Sequence, residues 1–315
     1  MGKSGKYVAR FGFSVLLIAL CLSDLGPAVA GQAQRIVFDQ DARNIPDGIF
    51  SMRPDGTGRR RLTTGDEFNP SWSPDGREIA YIGWNGNRTD LYKMNADGSQ
   101  KRRLSSTKKN EFDPSWSPNG NKIVFVKEDD LFTMRANGSK VKRLTNTERD
   151  EDSPTWSSSG RIAFNTFRFM DWNLYRADLF TMNANGTDIA RLTKTKPPEY
   201  LADWAPGGEW LAYSKVMNGM DQVFKMRENG EDATRLTKGG VRACGDPRES
   251  HSPSWSSDGD KIAFVGVYGG AGDFFAPSEI WTMRANGSRE RRVVETTPSN
   301  CNHRSDFWHH SPDLR

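Results

Sequence analysis

The stretch E-F-N-P-S-W-S-P-D-G, residues 67–76, returns almost unchanged as E-F-D-P-S-W-S-P-N-G at 111–120. Weaker copies surround Trp156, Trp204 and Trp255, so the five tryptophans are spaced by 44, 40, 48 and 51 residues. Three further elements follow each copy. The first is an apolar triplet: Ile79-Ala80-Tyr81, Ile123-Val124-Phe125, Ile162-Ala163-Phe164, Leu211-Ala212-Tyr213 or Ile262-Ala263-Phe264. The next ends at Met94, Met134, Met182, Met226 or Met283, and the last is built on Leu104, Leu144, Leu192, Leu236 or Val293. Asp-Gly and Asn-Gly pairs such as Asp75-Gly76 and Asp97-Gly98 separate these runs, and such pairs suit the positive φ of tight hairpins. Four short strands every 40–55 residues is the period of a propeller blade. The repeated Trp, Met and Leu residues read as core between blades.

The ends of the chain supply a sixth unit. Ile36-Val37-Phe38, Ile49–Met52 and Arg61-Leu62-Thr63 read as strands two to four of a blade without a first strand. Asp306–Asp313 reads as a first strand with nothing after it, with Trp308 or His310 in the tryptophan place. The expected fold is therefore all-β: a six-bladed propeller of four-stranded antiparallel blades. It is closed by the C-terminal strand pairing with the N-terminal three. The units run 35–63 plus 303–315, then 67–105, 111–145, 151–193, 199–237 and 249–294.

Residues 1–30 stand apart. Lys3, Lys6 and Arg10 precede an apolar run from Phe11 to Leu22, and small residues end at Ala28-Val29-Ala30. That layout is a secretory signal peptide, with residues 31–315 as the propeller. The expected location is secreted or periplasmic, with no stable membrane span in the mature form. The formal charge of +4 falls to near +2 without the leader, and the Arg and Lys residues are interleaved with acids. A nucleic-acid groove wants a contiguous basic field, so that class is excluded. A monomer is expected.

The pattern Pro70-Ser71-Trp72-Ser73-Pro74-Asp75-Gly76, Ile79-Ala80-Tyr81, Tyr92-Lys93-Met94, Ala96-Asp97-Gly98-Ser99 and Arg103-Leu104-Ser105 resembles the WD40-like propeller repeat of the TolB family. The resemblance covers residues 35–315. It implies a propeller in the bacterial envelope that binds a peptidoglycan-associated lipoprotein and Tol partners, here without the α/β domain that precedes the propeller in TolB. The repeat also precedes the hydrolase domain of prolyl-oligopeptidase-like enzymes. No G-x-S-x-G elbow occurs in the mature sequence, and the expectation leans away from an enzyme.

Candidate binding residues gather on the face that carries the inter-blade connections. Long loops with aromatics are expected at 165–177, with Phe169, Trp172 and Tyr175, and at 265–278, with Phe274 and Phe275. A third loop spans 39–48. Glu67, Glu111, Glu151 and Glu199 stand five residues before their tryptophans, with Glu249 near the equivalent place. This acidic rim either caps backbone N–H groups, or holds a hard cation such as calcium, or takes a basic peptide. His251, His303, His309 and His310 cluster late in the chain and are incidental rim residues or transition-metal ligands. The latter arrangement resembles some oligogalacturonate lyases. Cys244 and Cys301 occupy equivalent loops eight residues past Leu236 and Val293, and export makes a disulfide between them the expectation. The leading function is non-catalytic binding of a protein or cell-envelope component, carbohydrate included. The alternative is a metal-dependent polysaccharide lyase or hydrolase.

Overall fold

The structure, a computed structural model, describes residues 18–21, 35–42, 45–171, 174–240, 247–268 and 278–295. Six antiparallel sheets follow one another along the chain. Blade 2 comprises Glu67–Trp72, Glu78–Trp84, Thr89–Asn95 and Arg102–Arg103. Blade 3 comprises Glu111–Trp116, Lys122–Lys127, Asp130–Arg135 and Lys142–Arg143. Blade 4 comprises Asp150–Trp156, Arg161–Asp171, Leu174–Asn183 and Ala190–Arg191. Blade 5 comprises Glu199–Trp204, Trp210–Met217, Met220–Arg227 and Thr234–Arg235, and blade 6 Arg248–Trp255, Lys261–Tyr268, Ser278–Arg284 and Arg291–Glu295. Each is an up-and-down meander whose strands pair in sequence order.

Blade 1 corrects the expected closure. Its own unit supplies three strands, Arg35–Ala42, Ile45–Met52 and Arg60–Arg61. The inner edge of Arg35–Ala42 pairs with Ile18–Cys21, in the register Ile18↔Phe38, Ala19↔Val37, Leu20↔Ile36 and Cys21↔Arg35. A strand edge has one row of ladder groups, so this segment takes the place assigned to the C-terminal strand. Residues 303–315 lie outside the described residues. No sheet is closed by hydrogen bonds between the two ends of the chain among the described residues.

Packing closes the ring instead. Six apolar clusters occupy six seams, and they use the same positions each time. Between blades 2 and 3, Ala80, Ile82, Leu91 and Leu104 meet Trp116, Ile123, Phe125 and Met134. Between blades 6 and 1, Ala263, Val265 and Ile280 meet Ile36, Phe38, Phe50 and Met52. This last cluster has no indole, because Ile18–Cys21 brings no tryptophan. Within every blade the second and third strands also carry a cross-strand aromatic pair, from Phe38–Phe50 at 5.7 Å and Tyr81–Tyr92 at 5.6 Å to Phe264–Trp281 at 6.4 Å. Such pairs add to the burial of their own area.

The turn glycines set the spacing of the seams. Gly186, at φ 89°, lies against Leu144 of the preceding blade, and a Cβ there would stand 2.5 Å from the Leu144 carbonyl oxygen. Gly98, Gly138, Gly230 and Gly287 stand the same way against Leu62, Leu104, Leu192 and Leu236. Gly56 of blade 1 does so against Val293 of blade 6, which makes the sixth seam equivalent to the others.

The R-L-T/S motif explains the outer strand. Its Arg reaches back to an acid or amide that opens the third strand: Arg103 to Asp90 at 2.7 Å, Arg191 to Asp178 at 2.7 Å, Arg235 to Gln222 at 2.8 Å. Its Leu fills the seam. In blades 1 to 5 this strand is only two residues long, and Arg60, Arg61, Arg102, Arg103, Lys142 and Arg143 along it are exposed.

Two glycines of blade 4 separate backbone strain from blade contact. Gly160 has φ 82°, and a Cβ placed on it would meet nothing within 4 Å, unlike Gly186. Gly160→Ala is expected to cost about 1 kcal/mol, from the left-handed backbone alone. Gly186→Ala is expected to cost about 2–3 kcal/mol more, because two packed backbones must separate. Urea unfolding of both variants measures this, and equal losses would refute the role given to the glycine contact.

Candidate functional site

The inner strand of each of blades 2 to 6 carries a bulge two residues past the rim glutamate position. The register slips between Phe68 and Ser71, between Asp152 and Thr155, between Tyr200 and Asp203, and between His251 and Ser254. The bulged residues Asn69, Asp113, Ser153, Leu201 and Ser252 all have φ between 47° and 52°. A bulge re-aims side chains beside a functional surface. Its freed N–H groups go to the preceding blade: Leu201 N–H to Asn165 Oδ1 at 3.2 Å, and Ser252 N–H to Ser214 Oγ at 3.1 Å.

The rim glutamates divide into two kinds. Glu111 and Glu151 are buried latches. Glu111 Oε2 accepts from the Leu91 N–H at 3.1 Å and from the Ser105 hydroxyl, and Oε1 accepts from Thr107 at 3.2 Å. Thr145 repeats this on the next blade, accepting from the Leu131 N–H at 2.8 Å and donating to Glu151 at 3.1 Å, while Thr147 donates to the other oxygen. The last residue of R-L-T/S thus ties the third strand of one blade to the first strand of the next. Burial raises both carboxyls, that of Glu151 to about 7. Glu199 is also buried and pairs with Lys215 Nζ at 2.7 Å. Glu67 Oε2 is buried without a hydrogen-bond partner.

Glu249 belongs to a different group. It lies one residue before Ser250, which takes the latch position in blade 6 and is too short to serve there. Glu249, Asp221 and His251 interact electrostatically where blades 5 and 6 meet, and Tyr200 donates a hydrogen bond to Asp221. His251 Nδ1 lies 2.9 Å from Ser252 Oγ. Glu249 Oε1 and Asp221 Oδ1 are both buried with no hydrogen-bond partner. Burial, and then the neighbouring Asp221, push the Glu249 carboxyl up to about 7. Burial raises Asp221 as well, against the pull of His251 and the Tyr200 hydrogen bond, and it lowers His251. Two acceptors without donors beside a neutral imidazole suit a ligand that brings N–H groups or positive charge.

Asp203 escapes a reading of the sequence alone. It replaces the Ser or Thr before the other tryptophans, in the one copy whose phrase degrades to D-W-A-P-G-G. Its carboxylate accepts from Thr155 of blade 4 at 3.1 Å, from Ser254 of blade 6 at 3.2 Å and from the Trp255 N–H at 2.8 Å. One side chain thereby joins three consecutive inner strands. The signal is the irregularity itself: an acid where the repeat asks for a hydroxyl.

The expected aromatic loop at 165–177 is not a loop. The second and third strands of blade 4 continue as a hairpin through Phe167↔Ala177 and Phe169↔Tyr175 to Asp171↔Leu174. The 39–48 segment pairs likewise, to Ala42↔Ile45. Trp172, Phe274 and Phe275 lie outside the described residues, as do His303, His309 and His310. Among the described residues no three His, Cys, Asp or Glu side chains converge to hold a metal, and His251 keeps no such company. The expected Cys244–Cys301 disulfide is withdrawn. No disulfide joins described residues, both thiols fall outside them, and the closing strand that the bridge was to fasten is displaced by Ile18–Cys21. No described helix is long and apolar enough to cross a membrane.

Residues 22–171 match the TolB beta propeller domain family. Over that stretch the chain is similar to the TolB-type propeller domain. Solved structures share the architecture. TolB from Acinetobacter baumannii superposes with a TM-score of 0.61 at 18% identity, over 77% of this chain and 58% of that one. This chain therefore spans a little over half the length of that protein. A TolB candidate from Agrobacterium tumefaciens gives 0.62 at 19% identity, over 75% and 84%. An oligogalacturonate lyase in complex with manganese gives 0.55 at 15%, over 83% and 74%. At these identities the likeness is one of fold. No curated protein matches the sequence.

The raised Glu249 carboxyl gives a pH signature. The folded protein keeps that proton up to about pH 7, whereas the unfolded chain releases it near 4.5. Between those values the folded state holds more protons, so this group's contribution to stability is lost as pH rises through that window. Glu249→Gln is expected to flatten the fall in unfolding free energy from pH 5 to 8 by about 1 kcal/mol, a figure reduced for partial exposure. Parallel pH profiles for wild type and variant would remove the electrostatic account of this cluster.

Proposed function

We propose that this TolB-type propeller is an exported, non-catalytic binding module that takes a basic segment of a protein or cell-envelope component at its channel mouth. The observation that carries the reading is the group at the meeting of blades 5 and 6. There the buried acceptors Glu249 Oε1 and Asp221 Oδ1 lack donors, beside His251 and Tyr200. A lysine or arginine from a partner supplies the missing N–H groups and returns both carboxyls to their charged form. The extended hairpin of blade 4 lies at the same end of the strands and offers further contact area on a rigid support. Export rests on the Lys3–Ala30 leader pattern. On this reading Ile18–Cys21 belongs to the leader and holds the inner place of blade 1 until processing.

The test is capture of a partner from a periplasmic extract on the purified chain, followed by titration of that partner. Wild type is expected to retain one stoichiometric partner, more weakly as salt rises. The double variant Glu249→Gln, Asp221→Asn is expected to bind it about tenfold or more weakly, equivalent to about 1.4 kcal/mol or more. Thr145→Val, which breaks a latch at the distant blade 3–4 seam, is expected to lower stability by about 2 kcal/mol and leave the affinity intact. Equal affinity in the double variant and wild type would move the binding surface away from this cluster.

A further inference from the structure

The opposite face, which carries the turns between third and fourth strands, holds a cleft of about 550 Å³ at the seam of blades 6 and 1. Arg53, Lys261, Arg284, Arg289 and Arg291 line it, with Asp55 the one carboxylate. Asp55 is already committed, accepting from the Thr57 N–H at 2.9 Å and from the Thr57 hydroxyl at 2.7 Å. Nearby acids are turned elsewhere. Glu290 accepts from Arg248 and from the Lys238 N–H, and Glu279 from Arg292 and Trp281. Among the described residues, no hydrogen bond or ion pair engages the side chains of Lys261, Arg284, Arg289 or Arg291.

Blade 3 has cations in the same places, Lys122 opposite Arg135 and Lys140 on the turn, and at blade 6 Arg53 of blade 1 and Arg291 join them. Lys261 and Arg284 are direct cross-strand partners, an arrangement in which like charges repel. Equivalent places on blades 2, 4 and 5 are neutralised: Glu78 pairs with Lys93 at 2.7 Å, Asp188 with Arg161 at 3.8 Å and Asp232 with Arg227 at 2.7 Å. Where blades 4 and 5 place those aspartates, blade 6 places Arg289. All three share one left-handed backbone geometry, with φ of 57°, 55° and 57°. The acid that quiets blades 4 and 5 is here another cation on a fixed turn, and the turn of blade 1 walls the site.

We propose that this cleft binds a compact, multiply charged oxyanion of the phosphate-ester class, bearing two or more phosphate groups. Its volume is that of a small-ligand site. Guanidinium groups match phosphate oxygens in paired hydrogen bonds. A phosphate monoester carries about 1.5 to 2 negative charges at neutral pH, so two of them balance the uncommitted cations. Among the described residues no aromatic side chain lines the cleft, so recognition is of charge and not of a base or sugar ring.

The experiment is calorimetric titration of the purified chain with inorganic tripolyphosphate in chloride buffer at two salt concentrations. One site per chain is expected, weaker at higher salt. Arg289→Asp, which restores the acid of blades 4 and 5, is expected to bind about tenfold more weakly and to melt at a higher temperature without ligand. Arg102→Gln, an exposed outer-strand cation of blade 2, is expected to bind as wild type does. Cosedimentation with phosphatidic acid vesicles, competed by tripolyphosphate, would assign the natural ligand to a lipid headgroup. Tripolyphosphate binding without cosedimentation would assign it to a soluble phosphate ester. Absence of saturable binding, or equal affinity in Arg289→Asp and wild type, would overturn the proposal.

Discussion

The approach of one blade's turn glycine to the carbonyl oxygen of the blade before it fixes how closely the six sheets stand. A four-stranded sheet of this size has two apolar faces and no helix to cover them. Each face is buried only if the next blade comes close enough for Ile123 and Phe125 to reach Ala80 and Ile82, and their equivalents likewise. The glycines permit that distance. The Ser105–Glu111 and Thr145–Glu151 hydrogen bonds then hold the inner ends at the same spacing. Among the described residues the sixth seam has the glycine contact, through Gly56 and Val293, and the apolar cluster, but neither a tryptophan nor a rim glutamate of its own. It is the plainest of the six joints, and the basic cleft lies on it.

Much of this architecture is legible in the amino-acid sequence. The tryptophan phrase, the apolar triplets, the methionines and the Asn-Gly turns give the blade count and the strand order, because each is a local signal repeated at one period. The R-L-T/S motif is visible as a marker, but its chemistry is not. Its Arg bonds back within the blade and its hydroxyl bonds forward to the next, and each partner lies on another strand. The hairpin at 165–177 is hidden for a related reason. Its residues alternate poorly between apolar and polar, so pairing such as Phe167↔Ala177 leaves no period to detect.

Closure is the least legible part. Two segments could fill the inner place of blade 1, and both have short apolar character. The choice rests on which one lies along Ile36 and Phe38, a long-range matter that repeat counting does not address. The site is legible in part. Glu249 and His251 stand out as an acid and a histidine near the rim. Asp221 does not, because it sits in the third strand of the neighbouring blade and comes into range only when blades 5 and 6 pack. By spacing alone the five glutamates form one ring, whereas packing makes Glu111 and Glu151 buried joints and sets Glu249 beside Asp221.

The two-residue outer strands have a consequence for how copies of this molecule meet. A ring of open sheets presents six margins to solvent, and an unguarded margin is a template on which a second chain can add strand by strand. Cross-β growth draws on segments of about six or seven residues with little charge. Blades 1 to 3 expose two residues each, and those are Arg60-Arg61, Arg102-Arg103 and Lys142-Arg143. On those three blades the outer margin is thus unfit for fibril seeding.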